Sequence, residues 1–217
     1  MIIKLIRHGE SLANVMRDDT ISLADHQVLL TDKGVKQAYA AGEKLGANYL
    51  RDALTYTSPF LRAHQTLTAL LEGAGLTVAK VSVREDPRLR EVDHGYYDMR
   101  EQRNMIETYG HFYYRYQGGE SAADCYDRIS GFLESFVRSV HKSASRKALI
   151  VTHGLALRVF VMRFLHLTVQ QFDQIANPCN ADIVTIAHAN QLRDCMFIAG
   201  KWGVEGLRQY RPKQTDP

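Results

Sequence analysis

Cysteine is scarce in this sequence, and membrane-length apolar runs and clusters of basic residues are missing. The 217 residues include three cysteines, Cys125, Cys179 and Cys195, none in CxxC spacing. An odd, scattered set offers neither a disulfide framework nor a zinc-ligand pattern, and it suits a reducing compartment. No apolar run approaches the ~18 residues of a membrane span, so no membrane partner is expected. A strand-like run, IIKLI, begins at position 2 and leaves no room ahead of it for a signal peptide. The expected location is therefore cytoplasmic. Lysine and arginine exceed aspartate and glutamate by only three charges, with a pI near 8.7. That surplus is too small and too dispersed for a nucleic-acid partner, but it is compatible with a small anionic substrate.

What is present is an ordinary globular composition, 45% hydrophobic and 24% charged. The length suits one α/β domain over residues 1–217, and no repeat or linker divides it. IIKLI is a short apolar run of the kind that forms a strand buried on both faces. Residues 14–30 have no period and read as a loop. LLTDKGVKQAYAAGEKLG reads as a helix with Thr31 as N-cap and Gly46 as its stop. DALTYTS reads as a strand ending at Ser58, and Pro59 is expected in the first turn of the helix PFLRAHQTLTALLEGAG. TVAKVSV is a further strand, and DPRLREVDHG a loop. Ser121 is placed to cap a long helix over SAADCYDRISGFLESFVRSVHKS, with Asp124 in its first turn. KALIVT is a strand, LALRVFVMRFLHL a helix, and ADIVTIAHA and CMFIAG late strands. Residues 208–217 read as a flexible tail. Strands alternating with helices predict a three-layer, doubly wound α/β fold, its mostly parallel sheet covered on both faces.

In such sheets ligands bind outside the carboxyl ends of the strands. LIRHGES and IVTHGLA both run from a strand into His-Gly, which sets His8 and His153 at such ends. YTSPFLRAHQT puts Arg62 in the first turn of a helix, where free N–H groups favour an anion. Arg7 adds a second guanidinium, whose planar fork suits phosphate oxygens. Taken singly, a strand-end histidine is more often structural, and an arginine on a helix more often solvated. Two histidines can also bind a metal. Against that, a dedicated third ligand is missing and two guanidiniums would repel a cation, so no metal is expected.

The ordered set RHGES, LLTDKGVKQA, TSPFLRAHQT, LREVDHG, GGES and VTHG resembles the histidine phosphatase superfamily, with its phosphoglycerate mutase-like fold, from residue 3 to about 186. The resemblance implies that His8 is a nucleophile forming a phosphohistidine. Arg7, Arg62 and His153 would hold the phosphoryl oxygens, and Glu91, in Leu89-Arg90-Glu91, would be the general acid and base. Glu85 and Asp93 are its nearby rivals. Asn14 and, more weakly, Ser11 match positions near the phosphate. Glu120 in GGES and Gly154 beside the second histidine complete the set, and no cofactor is implied.

The family's mutases carry a longer insertion between the acid and the second histidine, with Tyr-, Arg- and Trp-rich signatures that this chain lacks. Its short GGES connection looks like the phosphatase branch. The expectation is a metal-independent phosphomonoesterase. A bisphosphoglycerate-dependent mutase or a non-catalytic phospho-ligand module is the alternative. Many family phosphatases follow the acid with Gly-x-Trp-Glu-Gly, whereas this chain has Gly95-Tyr96-Tyr97-Asp98-Met99, so the substrate stays open. A small phosphorylated metabolite or a phosphoprotein fits equally, and the oligomeric state is not legible. Residues 96–118, rich in Tyr and Arg, read either as a specificity cap over the pocket or as a buried helical cap without a ligand role. Arg17 and His26 are placed at the pocket mouth.

Overall fold

Alternation along two central strands explains how the molecule is layered. In β1 (Ile2–Arg7) and β4 (Lys147–Thr152), successive side chains point to opposite faces. Ile3, Leu5, Ala148 and Ile150 enter one hydrophobic cluster; Ile6, Leu149 and Val151 enter the other. A strand apolar on both faces is stable only if both are covered, and helices cover both. The computed structural model describes residues 1–16, 23–95 and 105–210.

The remaining strands are β2 (Leu54–Thr57), β3 (Val83–Glu85), β5 (Ile183–His188), β6 (Phe197–Ala199) and β7 (Trp202–Glu205). They form one sheet in the order β3-β2-β4-β1-β5-β7-β6. The first four of these are parallel, and β5, β7 and β6 extend the sheet antiparallel beyond β1. The helices are α1 (Leu12–Val15), α2 (Asp32–Leu45), α3 (Ala47–Leu50), α4 (Leu61–Gly73), α5 (Ala122–Lys142), α6 (Gly154–Leu165) and α7 (Val169–Asp173). Buried residues of α2, α3 and α4 pack on one face, and those of α5, α6 and α7 on the other. This is the expected doubly wound α/β fold on a mixed sheet. Among the described residues no helix is long and apolar enough to cross a membrane.

Local chemistry sets several boundaries as expected. Thr31 caps α2 by accepting from Gly34 N, and Gly46 ends it at φ 74°. Ser121 and Asp124 form a reciprocal capping box at the start of α5.

Elsewhere the structure corrects the reading. Pro59 lies ahead of α4, not in its first turn: Phe60 is the N-cap, in extended backbone. The Ser58 hydroxyl accepts from Phe60 N and lies against His153, which holds this stretch open. TVAKVSV yields a 3-10 turn at Val78–Lys80, and the strand begins only at Val83, where β2 offers partners. A further strand, β7, was not expected and lies between the two late strands. That strand is short and carries Gly203, which weakens its pattern. A Cβ there would lie 2.7 Å from the Cys195 sulfur. The tail starts later than expected, because Ala176 N donates to Arg208 O and Tyr210 N to Gln174 O. Residues 211–217 lie outside the described residues.

The 96–118 segment divides in two. Residues 96–104 lie outside the described residues. Phe112 and Tyr116 are buried in the larger core cluster, and Tyr109 and Tyr113 are exposed.

The loop after β1 seats directly on the first turn of α2. A Cβ on Gly34 would lie 2.0 Å from the Glu10 carbonyl oxygen, and one on Gly9 would lie 2.3 Å from that of Gly34. Helix propensity alone would make Gly34→Ala favourable by ~0.5–1 kcal/mol. The backbone clash reverses the sign: we expect a loss of about 1–3 kcal/mol, read as a lower urea midpoint.

Candidate active site

Register brings the two histidines together. β1 and β4 pair in parallel with Arg7 opposite Thr152, so the next residue on each strand, His8 and His153, leaves the sheet at the same level. Their ring centroids are 5.2 Å apart. Ser58 leaves β2 beside them, its N–H bonded to Val151 O. His153 Nε2 lies 2.7 Å from Ser58 Oγ. A cavity of about 630 Å³ opens over these strand ends, and Arg7, His8, Asn14, Arg62 and Glu91 are among its lining residues.

The tautomer of His8 follows from its neighbour. Its Nδ1 lies 2.7 Å from the Gly9 carbonyl oxygen, which can only accept. In the neutral ring Nδ1 therefore carries the proton, and Nε2 keeps its lone pair. Burial and then the Arg62 charge push the His8 pKa down to about 3, with Arg7 adding to them against the Gly9 hydrogen bond. His153 is fully buried and lies well below its ordinary value, through burial and then the charges of His8 and Arg62. Gly9 N donates to Thr66 Oγ1 and His8 N to Thr152 O, which anchors the loop on both sides.

Two guanidiniums supply positive charge. Arg7 Nη1 donates to Pro178 O at 2.6 Å, while its buried Nε has no acceptor among the described residues. Burial lowers the Arg7 pKa, and Glu91 and other negative groups oppose that. Arg62 is 4% exposed and lies over the Phe60 ring. It is also held by Asp25: Nη1 donates to the Asp25 carbonyl at 2.6 Å and to Oδ1 at 2.8 Å, and Nη2 donates to Oδ2 at 3.3 Å. A buried donor lacking an acceptor is costly unless something supplies one, and a phosphate oxygen is an acceptor of the right charge.

Glu91 is held by backbone. Its Oε1 accepts from Ala156 N at 3.2 Å and Val92 N at 3.0 Å, and its Oε2 accepts from Leu155 N at 3.3 Å. The carboxylate thus sits at the N-terminus of α6, where negative charge is favoured. Of its rivals, Asp93 lines the cavity, and its carboxylate accepts from Gly95 N. Glu85 pairs with His64 and is not on the lining.

The other expected residues distribute unevenly. Ser11 and Asn14 line the cavity, and Asn14 Oδ1 accepts from Ser11 N, Ser11 Oγ and Asn180 Nδ2. Glu120 does not line it: its carboxylate pairs with Arg90 and Arg128 and clamps the Glu91 loop to α5. Gly154 leaves room for the Asn177 side chain, since a Cβ would lie 2.3 Å from Asn177 Oδ1. His26 is exposed and off the lining, and Arg17 lies outside the described residues. Asp25, Asn177 and His94 line the cavity without having been expected there. Of these, His94 lay within LREVDHG, a stretch that already stood out, as did Ser58 of TSPFLRAHQT, which meets His153 without lining the cavity. Among the described residues no group of three or more His, Cys, Asp or Glu side chains could hold a metal ion.

Arg7 and His8 at the end of β1 and Arg62 in the first turn of α4 line the cavity, while His153, fully buried, meets the His8 ring from below without lining it. The family model described as "Histidine phosphatase superfamily (branch 1)" matches residues 3–198, and the chain belongs to that superfamily. The phosphoglycerate mutase-like protein AT74 of Arabidopsis thaliana is 37% identical over 198 residues, which are 82% of this chain and 62% of that protein. The chain therefore spans less than two thirds of that relative's length. The broad-range acid phosphatase DET1 of Saccharomyces cerevisiae is 25% identical, with 85% and 84% of the two chains covered. A mycobacterial glucosyl-3-phosphoglycerate phosphatase shares the fold, with a TM-score of 0.69 and 23% identity over 85% of this chain and 89% of that one.

The low proton affinity of His8 has a thermodynamic consequence. The unfolded chain binds protons on its histidines below pH about 6.5, whereas folded His8 does so only near pH 3. The native state then carries fewer protons, so this share of stability is present above pH about 6.5 and is lost as pH falls toward about 3. We expect His8→Asn to lose less stability than wild type over that window in urea titrations, and the His8 ring to show no protonation step by NMR between pH about 5 and 8.

Proposed function

We propose that the protein is a phosphomonoester hydrolase working through a phosphohistidine on His8. The observation that carries this reading is the Nδ1 contact of His8 with the Gly9 carbonyl, in a ring that lines the cavity beside Arg7 and Arg62. It leaves Nε2 as a nucleophile in the neutral ring. Nε2 attacks phosphorus, the P–O ester bond breaks, and Glu91 protonates the departing oxygen. Water then attacks the phosphohistidine, Glu91 takes a proton from it, and the P–N bond breaks to release phosphate. Arg7, Arg62 and His153 hold the equatorial oxygens and offset developing charge. Asn14 and Ser11 shape the loop that borders them. In this reading the substrate is a small phosphorylated metabolite or a phosphoprotein, met in the cytoplasm.

The name of the Arabidopsis relative keeps a second reading, phosphoryl transfer back to a bound phosphoacid, in play. It requires isomerisation of phosphoglycerate, primed by a bisphosphate, to outrun phosphate release.

Phosphate release from an aryl phosphate in EDTA is the direct test, wild type against His8→Ala. The variant is expected to fall to background, and undiminished turnover would sink the proposal. Glu91→Gln is expected to slow an alkyl phosphate by about 10²-fold or more. It should slow a nitrophenyl phosphate much less, because nitrophenolate leaves without a proton. Acid-labile label on His8 after a quench separates catalysis from mere binding.

A further inference from the structure

A second cavity, of about 390 Å³, lies beside the first and is lined by His111, Arg158, Asp173, Ile175, Asn177 and Tyr210. Asn177 lines both cavities, and its side chain fills the space above Gly154 at the start of α6. Arg158 follows Gly154 by four residues on the same helix face. The helix that begins just after His153 therefore carries a guanidinium from one cavity's edge into the other.

Arg158 is a half-buried cation without a close counterion. Its guanidinium lies 4.4 Å from the centre of the Phe172 ring, and Nη2 donates to Phe172 O at 3.2 Å. Its Nε is buried with no partner among the described residues. Asp173 and Glu91 favour its charge without forming an ion pair with it. Burial lowers its pKa to about 10, which leaves it charged at neutral pH. A buried donor such as this Nε is costly to leave without an acceptor. His111 is exposed at the cavity's edge, and desolvation and then the Arg158 charge lower its pKa. Asp173, the single carboxylate on this lining, is exposed, where water screens it. Tyr210 is held over the cavity by its N–H bond to Gln174 O.

We propose that this second cavity receives a negatively charged group on the leaving-group side of the substrate, a carboxylate or a second phosphoryl group, bound by Arg158 with His111 and Tyr210 beside it. The inference rests on the phosphatase reading and narrows it to phosphomonoesters with two anionic ends. His8 and the arginines around it take the phosphoryl end, and the leaving group runs past Asn177.

The test is a series of carboxyalkyl phosphates of increasing length, each paired with its hydroxyalkyl counterpart and with an alkyl bisphosphate. Wild type is expected to favour a doubly anionic member by about tenfold or more in kcat/KM at the matching length. Whether the carboxylates or the bisphosphates gain identifies the anion. Arg158→Gln and His111→Gln are expected to erase that preference through KM while keeping hydroxyalkyl turnover within about twofold. No preference at any length, or equal loss on both members of a pair, would overturn the proposal. If Arg158→Gln does not fold, Arg158→Met and His111→Gln carry the same comparison. Hydroxyalkyl turnover by wild type reports the phosphatase reading separately. Calorimetric binding of the same compounds to His8→Ala reads the preference even if no member is hydrolysed.

Discussion

The parallel pairing of β1 with β4 is the constraint on which the rest of the molecule depends. It runs from Ile2 opposite Lys147 to Arg7 opposite Thr152. Because side chains alternate along a strand, a slip of one residue would exchange the two hydrophobic faces. It would also part His8 from His153. The cores on both sides of the sheet therefore lock the register, and the register sets the distance between the two rings. β2 joins the same edge through Thr57 opposite Val151, which brings Ser58 to His153. The Glu91 loop closes the crevice because its carboxylate takes up N–H groups at the start of α6.

Electrostatics unify the site further. Arg7 and Arg62 give the crevice positive charge, which suits the phosphoryl group proposed for it. Burial, with the Arg62 charge added to it, lowers the proton affinity of His8. One arrangement thus attracts the anion and maintains the lone pair that would attack it. The cost is a set of buried donors short of acceptors, among them Arg7 Nε. Asp25 offsets part of it by occupying Arg62 from the loop side. Any anion that takes up Arg62 meets this carboxylate as a competitor.

Legibility in the sequence divided by how local the cause was. The α2 and α5 boundaries could be read because Thr31, Gly46, Ser121 and Asp124 act within a turn of themselves. The residues lining the crevice from RHGES, from the LRE segment and from α4 could be read because their motifs stand at strand ends. Glu120 was placed with them on the same grounds, yet it faces Arg90 and Arg128, two cations too far along the chain for spacing to reveal. Pro59 misled because the stretch around it is held open by a histidine some 95 residues away. β7 went unseen because a four-residue strand containing glycine has almost no pattern.

The sequence by itself determined the alternation of strands and helices, the burial of the first strand on both faces, and the chemical types gathered at strand ends. Those are properties of local periodicity and of side-chain chemistry. Only the tertiary structure decided which nitrogen of His8 is free, because that depends on where the Gly9 carbonyl turns after the strand ends. It alone decided that Asp25 holds Arg62 and that Asn177 stands between two cavities. Those contacts join residues far apart in sequence, and no local pattern encodes a distance that the packing of the whole sheet has to set.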